Sequence, residues 1–237
     1  MDYGHEWTER ELAALERRIA ALYREAQGDL EKTIYEYFDK LLDRDKHQRE
    51  LLEAGKITED QYKLWRLNQI GRGERFIALR DAMAERYTTA NETAVSYVND
   101  ATPGIYSLNR NYAAYTIEQQ TGQSVAYTLW DERTVRRLIV EEPNLMPYYP
   151  PKRALQRGID LAWGKKQITK QVTSGILQGE SIGKLADRLQ KNIPNMNRDS
   201  AIRTARTAAT GAQNAGRMDT YAAVSYTHLT LPTNVNV

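Results

Sequence analysis

Apolar residues recur at helical spacing through the first part of the chain. From Leu12 to Leu41 they follow one another at intervals of three or four residues, which is the period of an amphipathic helix. They are Leu12, Leu15, Ile19, Leu22, Ala26, Leu30, Ile34, Tyr37 and Leu41. Thr8-Glu9-Arg10-Glu11 has the pattern of a capping box, so the helix is expected to begin there. Gly55 is expected to end it.

A second apolar pattern predicts the partner of this helix. Thr58-Glu59-Asp60-Gln61 repeats the capping-box pattern, and apolar residues at helical spacing continue to Tyr97. Gly71-Arg72-Gly73 lacks the strand and the Lys-Ser/Thr of a phosphate loop, so it predicts a kink. Pro103-Gly104 is expected to end this arm. A short connection between two long helices predicts an antiparallel hairpin over residues 1–102.

Residues 103–151 predict a small mixed segment. IYSLNRNYAAYTIEQQTG at 105–122 reads as a helix that Gly122 ends, and its tyrosines favour half-buried packing over stacking on bases. SVAYTLW at 124–130 predicts a strand, and DERTVRRLIVEE at 131–142 predicts a helix. PNLMPYYPP at 143–151 holds four of the seven prolines and predicts a hinge.

Two helices are predicted between residues 152 and 190. The first is expected to end at Gly179, with Gly164 as an interruption. Ser181 is expected to cap the second, whose buried face consists of Ile182, Leu185, Ala186 and Leu189. Its outer face carries three basic residues, Lys184, Arg188 and Lys191. We refer to these three as the secondary basic face.

A further helix is predicted from Asn197 to Tyr221, after the breaker Pro194, with Asn197, Asp199 and Ser200 as candidate N-caps. One face is made of small residues, namely Ala201, Ala205, Ala208, Ala212 and Ala215. The opposite face, which we call the polar stripe, consists of Arg203, Arg206, Thr207, Thr210, Gln213, Asn214 and Arg217. No acidic residue occurs from Ser200 to Met218, whereas solvated helix faces usually pair acids with bases. The stripe therefore predicts contact with a partner or a buried polar network.

Charge is divided unevenly along the chain. Residues 152–217 hold 13 basic and 4 acidic residues, a balance of +9, and residues 1–151 hold 20 and 26, a balance of −6. Such a division indicates either nucleic-acid binding or electrostatic docking. Arg203 and Arg206 are suited to bidentate contact with phosphate or carboxylate. Three interpretations stay open for the stripe: DNA backbone contact, an acidic protein partner, or an internal network.

Catalytic, cofactor and metal sites are not predicted. No nucleophile-base pair, carboxylate dyad, zinc signature or phosphate-binding glycine loop can be assembled from the 237-residue chain, which has no cysteine and whose three histidines are far apart in sequence. We therefore expect no catalytic residue, cofactor, metal ion or small-molecule substrate. No apolar run approaches the roughly 18 residues that span a bilayer, and the N-terminus is too charged for a secretory signal. We therefore expect a cytosolic protein that does not bind membranes.

TSGILQGESIGKLADRLQ at 173–190, followed by NRDSAIRTARTAATGAQNAGRMDTY at 197–221, resembles the Mu F-like family of tailed-phage head morphogenesis, or minor head, proteins. The resemblance implies a virion component rather than an enzyme. It would be a minor capsid protein of few copies, acting near the portal in procapsid assembly and in DNA packaging or delivery. The implied partners are portal and capsid or scaffold proteins, with non-specific DNA as a further one. The implied location is the head interior near the portal, and the bacterial host cytoplasm during assembly.

The last residues differ in character from the rest. SYTHLTLPTNVNV, from Ser225 onward, has no charge or helical period and resembles translated sequencing-adapter read-through. Family members continue past the alanine-rich helix into a segment with a Trp, an Asp-x-Arg-Thr-Arg-x-x-His pattern and an Asp-Gly, so we expect truncation. The alternatives are a non-specific DNA-binding protein, with a steep salt dependence of affinity, and an enzyme whose active site lay in the missing part.

The patterns together predict a mainly α-helical protein. A long helical hairpin arm would occupy residues 1–102, and a helix-strand-helix middle segment with a Pro-rich hinge would occupy 103–151. Residues 152–224 would form a basic helical domain, originally α+β and cut short, and 225–237 a non-native tail.

Overall fold

The computed structural model describes residues 2–122, 129–142 and 158–229. Within these ranges the chain is helical and has no strand, which confirms the mainly α class. The helices are α1 (Tyr3–Glu53), α2 (Glu59–Ile70), α3 (Glu74–Thr121), α4 (Glu132–Glu141), α5 (Leu161–Leu177), α6 (Ile182–Asp187) and α7 (Ile193–Leu229), with a π-helical turn at Arg188–Asn192 between the last two. The Pro-rich segment and all but the last two residues of the predicted strand lie outside the described residues.

Two compact units divide the chain, and their segments alternate along the sequence. Unit 1 contains Met1–Arg17, Ser96–Lys152 and Ile202–Val237, and unit 2 contains Arg18–Val95 and Arg153–Ala201. The dividing points near residues 17, 95 and 201 fall inside α1, α3 and α7. The layout of consecutive arm, middle segment and basic domain is therefore not confirmed.

In unit 2, α1 and α3 run antiparallel, as the hairpin prediction requires. Asp29 Oδ2 accepts a hydrogen bond of 2.8 Å from Arg86 Nε, and Tyr23 donates a hydrogen bond to Asn91. Low numbers in α1 thus pair with high numbers in α3. The buried apolar face follows the predicted period, and α5 adds side chains of its own. The core includes Ile19, Ile34, Phe38, Phe76, Met83, Ile168, Val172 and Ile176.

In unit 1, the N-terminal turns of α1 and the second half of α3 also run antiparallel. Thr8 Oγ1 accepts a hydrogen bond of 2.8 Å from Asn109 Nδ2, and the Tyr3 amide donates one to Tyr112 Oη. The alanine face of α7 is buried, which confirms the predicted small-residue contact at its central positions. Those positions are Ala205, Ala208 and Ala212.

Three predicted glycine stops and two predicted caps are confirmed. Gly55, Gly122 and Gly179 follow the ends of α1, α3 and α5 with positive φ, a conformation that glycine adopts without steric cost. Thr58 forms the predicted capping box with Gln61, and Ser181 Oγ accepts from the Lys184 amide.

The predicted start of α1 is wrong. The helix begins at Tyr3, so Thr8 lies inside it rather than at its N-cap. There the Thr8 hydroxyl donates a hydrogen bond of 2.8 Å to the Gly4 carbonyl, the alternative partner that a threonine finds within a helix.

The predicted break at Pro103 is also wrong, because α3 continues through it to Thr121. A proline removes one backbone hydrogen bond and costs about 3 kcal/mol in a helix interior. Buried side chains on both sides, such as Thr102, Ile105 and Tyr106, offset that cost through packing. At Gly71 and Gly73 the reverse occurs: α2 ends and α3 starts, so the predicted kink is a complete break.

The C-terminal boundaries differ from prediction as well. Pro194 is the second residue of α7 and directly follows the π-helical turn Arg188–Asn192, so Asn197, Asp199 and Ser200 are inside the helix and are not its N-caps. Gly164 does not interrupt α5, and the helix starts only at Leu161, with Asp160 as the N-cap. The last helix continues past Ser225 to Leu229, where no helical period was expected.

Candidate partner-binding surface

Five members of the polar stripe lie exposed along α7 in unit 1. They are Arg203, Arg206, Thr207, Thr210 and Asn214. The alanine face on the other side of the helix is buried, so packing determines which face of α7 is exposed to solvent. Because the helix holds their backbone positions, these five side chains form a continuous row of hydrogen-bonding groups in solvent.

The two arginines at the start of this row differ in their surroundings. Arg206 Nε lies 2.5 Å from Glu16 Oε1, and its Nη2 lies 3.3 Å from Glu16 Oε2. The hydrogen bond to Glu16 raises the pKa of Arg206. The Arg203 guanidinium makes no hydrogen bond or ion pair with the side chains that the structure describes. Arg203 thus presents an uncompensated positive charge, whereas the charge of Arg206 is compensated by its ion pair with Glu16.

Gln213 and Arg217 take part in an internal network instead. Gln213 is buried, and its Nε2 lies 3.3 Å from His5 Nδ1. Arg217 Nη1 lies 2.7 Å from Asp2 Oδ2, and its Nε donates to Asn109 Oδ1 at 3.1 Å. The hydrogen bond from Arg217 lowers the pKa of the Asp2 carboxyl. Five residues of the stripe thus form an exposed row, whereas Gln213 and Arg217 make contacts within unit 1.

Met218 and Tyr221 extend the exposed row and were missed from the sequence. Their side chains are 64% and 47% exposed. They follow Asn214 at steps of four and three, so helical spacing alone would have placed them on the same face. The sequence interpretation ended at Arg217 because it followed hydrogen-bonding groups and ignored apolar ones.

The secondary basic face is only partly available. Lys184 and Lys191 are exposed, although Lys191 Nζ lies 3.1 Å from Asp187 Oδ1. Arg188 is 18% exposed and is held by an ion pair with Glu180 and hydrogen bonds to Gln171 and Gln178. Its guanidinium therefore organises unit 2 rather than presenting a free charge.

No protein-family model, curated protein or solved structure matches this chain. Across residues 2–122, 129–142 and 158–229, no group of three or more His, Cys, Asp or Glu side chains is arranged to hold a metal ion. In the same ranges, every helix is too short or too polar to cross a bilayer.

Proposed function

We propose that this protein is a structural component of a tailed-phage head and acts near the portal in procapsid assembly and in DNA packaging or delivery. The sequence support is the resemblance of residues 173–190 and 197–221 to the Mu F-like head morphogenesis proteins. The exposed part of α7 is proposed as the surface that docks on a portal or capsid protein.

The observation that carries the proposal is the exposed row on α7 and its apolar end. Arg203, Arg206 and the neighbouring hydroxyl and amide groups can pair with carboxylates and backbone groups of a partner. Met218 and Tyr221 lie one and two turns beyond Asn214 and supply apolar contact area. Protein interfaces are enriched in Arg, Tyr and Met, and a few such residues carry most of the binding energy.

The acids beside the stripe favour a protein over DNA as the partner at this surface. Of the three arginines in the stripe, Arg206 contacts Glu16 and Arg217 contacts Asp2. Each carboxylate cancels much of the attraction that its arginine would exert on a phosphate, and would itself repel one. DNA binding at this stripe would then rest on Arg203 alone.

The test is binding of the full chain to the portal protein of the same phage. We expect Arg203→Ala with Arg206→Ala to weaken binding about tenfold. The contact would lose the uncompensated charge of Arg203 and the guanidinium of Arg206, which can leave Glu16 to bind a partner. Surface plasmon resonance measures the affinity, and circular dichroism measures helical content in parallel.

Arg10→Ala with Arg133→Ala is the matched control, since both arginines are exposed and helical and belong to unit 1. It should bind the portal protein as the unmodified chain does. Unchanged binding of the Arg203/Arg206 variant would rule out the stripe as the contact. A loss of its helical signal would assign these arginines to the stability of the unit instead.

A further inference from the structure

A basic groove runs along one face of α5 in unit 2. It has a volume of about 790 Å³, and Arg80 of α3 forms its other wall. The lining side chains on α5 alternate at helical spacing. They include Lys165, Lys166, Thr169, Lys170, Thr173 and Leu177, and Gln178 lies just after the helix. We call this surface the α5 groove.

Positive charge dominates the α5 groove. It contains Arg80 and three lysines, and the nearest carboxylate, Asp81, lies 2.7 Å from Arg80 Nη2 and 3.0 Å from Lys165 Nζ. The hydrogen bonds from Arg80 and then Lys165 lower the pKa of Asp81, so it is ionised at neutral pH. Lys166 and Lys170 are exposed one helical turn apart, with no ion pair among the residues that the structure describes.

The donors in the α5 groove match those that contact a sugar–phosphate backbone. Lysine and arginine stand beside Thr169, Thr173 and Gln178, and side chains of these types make most protein contacts to phosphate oxygens. At 1.5 Å per residue, the face from Ala162 to Gln178 is roughly 24 Å long. One strand of a duplex presents roughly seven phosphates over that length.

We propose that the α5 groove binds the sugar–phosphate backbone of nucleic acid without sequence preference. The roughly 24 Å length of this basic face suits a run of evenly spaced phosphates, which favours nucleic acid over an acidic protein as its occupant. The α5 groove shares no residue with the exposed row on α7, and the inference does not depend on the function proposed above.

The test is fluorescence anisotropy of the full chain with a random-sequence duplex of about 20 base pairs, from about 50 to 200 mM salt. Each phosphate contact contributes about −0.9 to the slope of log affinity against log salt. Lys166→Gln with Lys170→Gln should therefore bind more weakly at every salt concentration and reduce the magnitude of the slope by about 1.8.

Lys40→Gln with Lys56→Gln is the matched control. Both lysines are exposed in unit 2, and the change in net charge is identical. The control should keep a slope close to that of the unmodified chain. If the control lost as much of the slope, the change in net charge alone would explain the result and the proposal would be overturned. An unchanged slope in the Lys166/Lys170 variant would also overturn it.

Two further experiments test whether the α5 groove binds an acidic protein instead and whether DNA contacts α7 instead. Polyglutamate that competes as strongly as the duplex would reassign the α5 groove to an acidic protein. Arg203→Ala with Arg206→Ala should leave DNA binding unchanged, and a larger loss there than at Lys166 and Lys170 would move the DNA contact to α7. Binding to the portal protein should survive in the Lys166/Lys170 variant, so failure of either proposal is visible by itself.

Discussion

Gly216 lies where α7 crosses α3 in unit 1, and the crossing leaves no room for a side chain. A Cβ atom there would lie 2.5 Å from the Tyr106 carbonyl oxygen and 3.1 Å from the Arg110 nitrogen. Both atoms belong to the backbone of a helix, so they cannot rotate away as a side chain would. The glycine thus permits the close approach that buries Thr220, whose hydroxyl donates to the Arg110 carbonyl at 2.7 Å.

Gly216→Ala is expected to lower the free energy of unfolding by about 1–3 kcal/mol, the usual cost of overpacking. Alanine's higher helix propensity will offset only part of this loss. Gly28→Ala is the control, since Gly28 lies exposed in α1 with nothing within 4 Å of an added Cβ. It should raise the free energy of unfolding by about 0.5–1 kcal/mol. Denaturant titration measures both, and a Gly216→Ala protein as stable as the unmodified chain would contradict the close crossing.

The Glu180–Arg188 ion pair is expected to make the stability of unit 2 depend on pH. Arg188 Nε donates to Glu180 Oε2 at 2.9 Å, and this hydrogen bond lowers the pKa of the Glu180 carboxyl. A carboxyl with a lowered folded pKa stabilises the fold above its unfolded pKa. That contribution is lost as the pH falls through the folded value.

Arg188→Gln should therefore lower the free energy of unfolding by about 1–2 kcal/mol at pH 7, and the difference should narrow below about pH 4. Lys191→Gln removes an exposed ion pair and should change it by less than about 0.5 kcal/mol at either pH. Denaturation at a series of pH values measures the difference, and a gap that widened in acid would refute the assignment.

At the scale of the element, the start of α2 depends on one threonine. Thr58 Oγ1 accepts from the Gln61 amide at 3.2 Å, and Gln61 Oε1 accepts from the Thr58 amide at 2.8 Å. Thr58→Ala should cost about 1 kcal/mol of stability, because the Gln61 amide loses its acceptor. Thr58→Asp keeps an acceptor at the N-cap, so its stability should stay near that of the unmodified chain. Thermal melts of both variants measure the difference.

Elements set by local chemistry were predictable from the sequence. The apolar period of α1, the capping box at Thr58 and the glycine stops each depend on residues within a few positions, so the sequence is sufficient to identify them. Pro103 misled the prediction because burial by distant segments outweighs a local preference. At Pro194 the helix continues in the same way, with a π-helical turn at Arg188–Asn192 directly before the proline.

The candidate surface was also predictable only in part from the sequence. The alanine face and the polar stripe follow from helical spacing, which placed them on opposite sides of α7. Which members of the stripe are exposed depends on the N-terminal segment, where Asp2 precedes α1 and His5 and Glu16 lie within it, about 200 residues away in sequence. The α5 groove could not be foreseen either, because Arg80 reaches it from another helix.

At the scale of the whole molecule, buried charge joins distant segments of unit 2. Arg66 is 1% exposed and its Nε lies 3.1 Å from Asp45 Oδ1, an ion pair rather than an aligned hydrogen bond. Arg66 Nη2 donates to the Glu180 carbonyl at 2.5 Å, and Tyr62 Oη donates to Asp45 at 2.9 Å. Burial and the Asp45 carboxylate raise the pKa of Tyr62.

Arg66→Met is expected to lower the free energy of unfolding by about 3 kcal/mol, because the buried Asp45 would keep as its cation only the exposed Arg49, whose Nη2 lies 3.5 Å from Asp45 Oδ2. Adding Asp45→Asn in that background should recover part of the loss, since the buried charge is removed. Denaturant titration of the two single variants and the double variant measures the coupling. Additive effects would show that the pair contributes no specific coupling.

The alternation of the two units along the sequence has a consequence for synthesis on the ribosome. All segments of unit 2 have been translated by Ala201, whereas unit 1 still needs the segment that begins at Ile202. Until α7 emerges, the apolar side chains of the first turns of α1, such as Leu12 and Leu15, lack part of their cover. The nascent chain therefore carries this apolar surface only partly covered through most of its elongation, and transiently exposed hydrophobic surface favours aggregation.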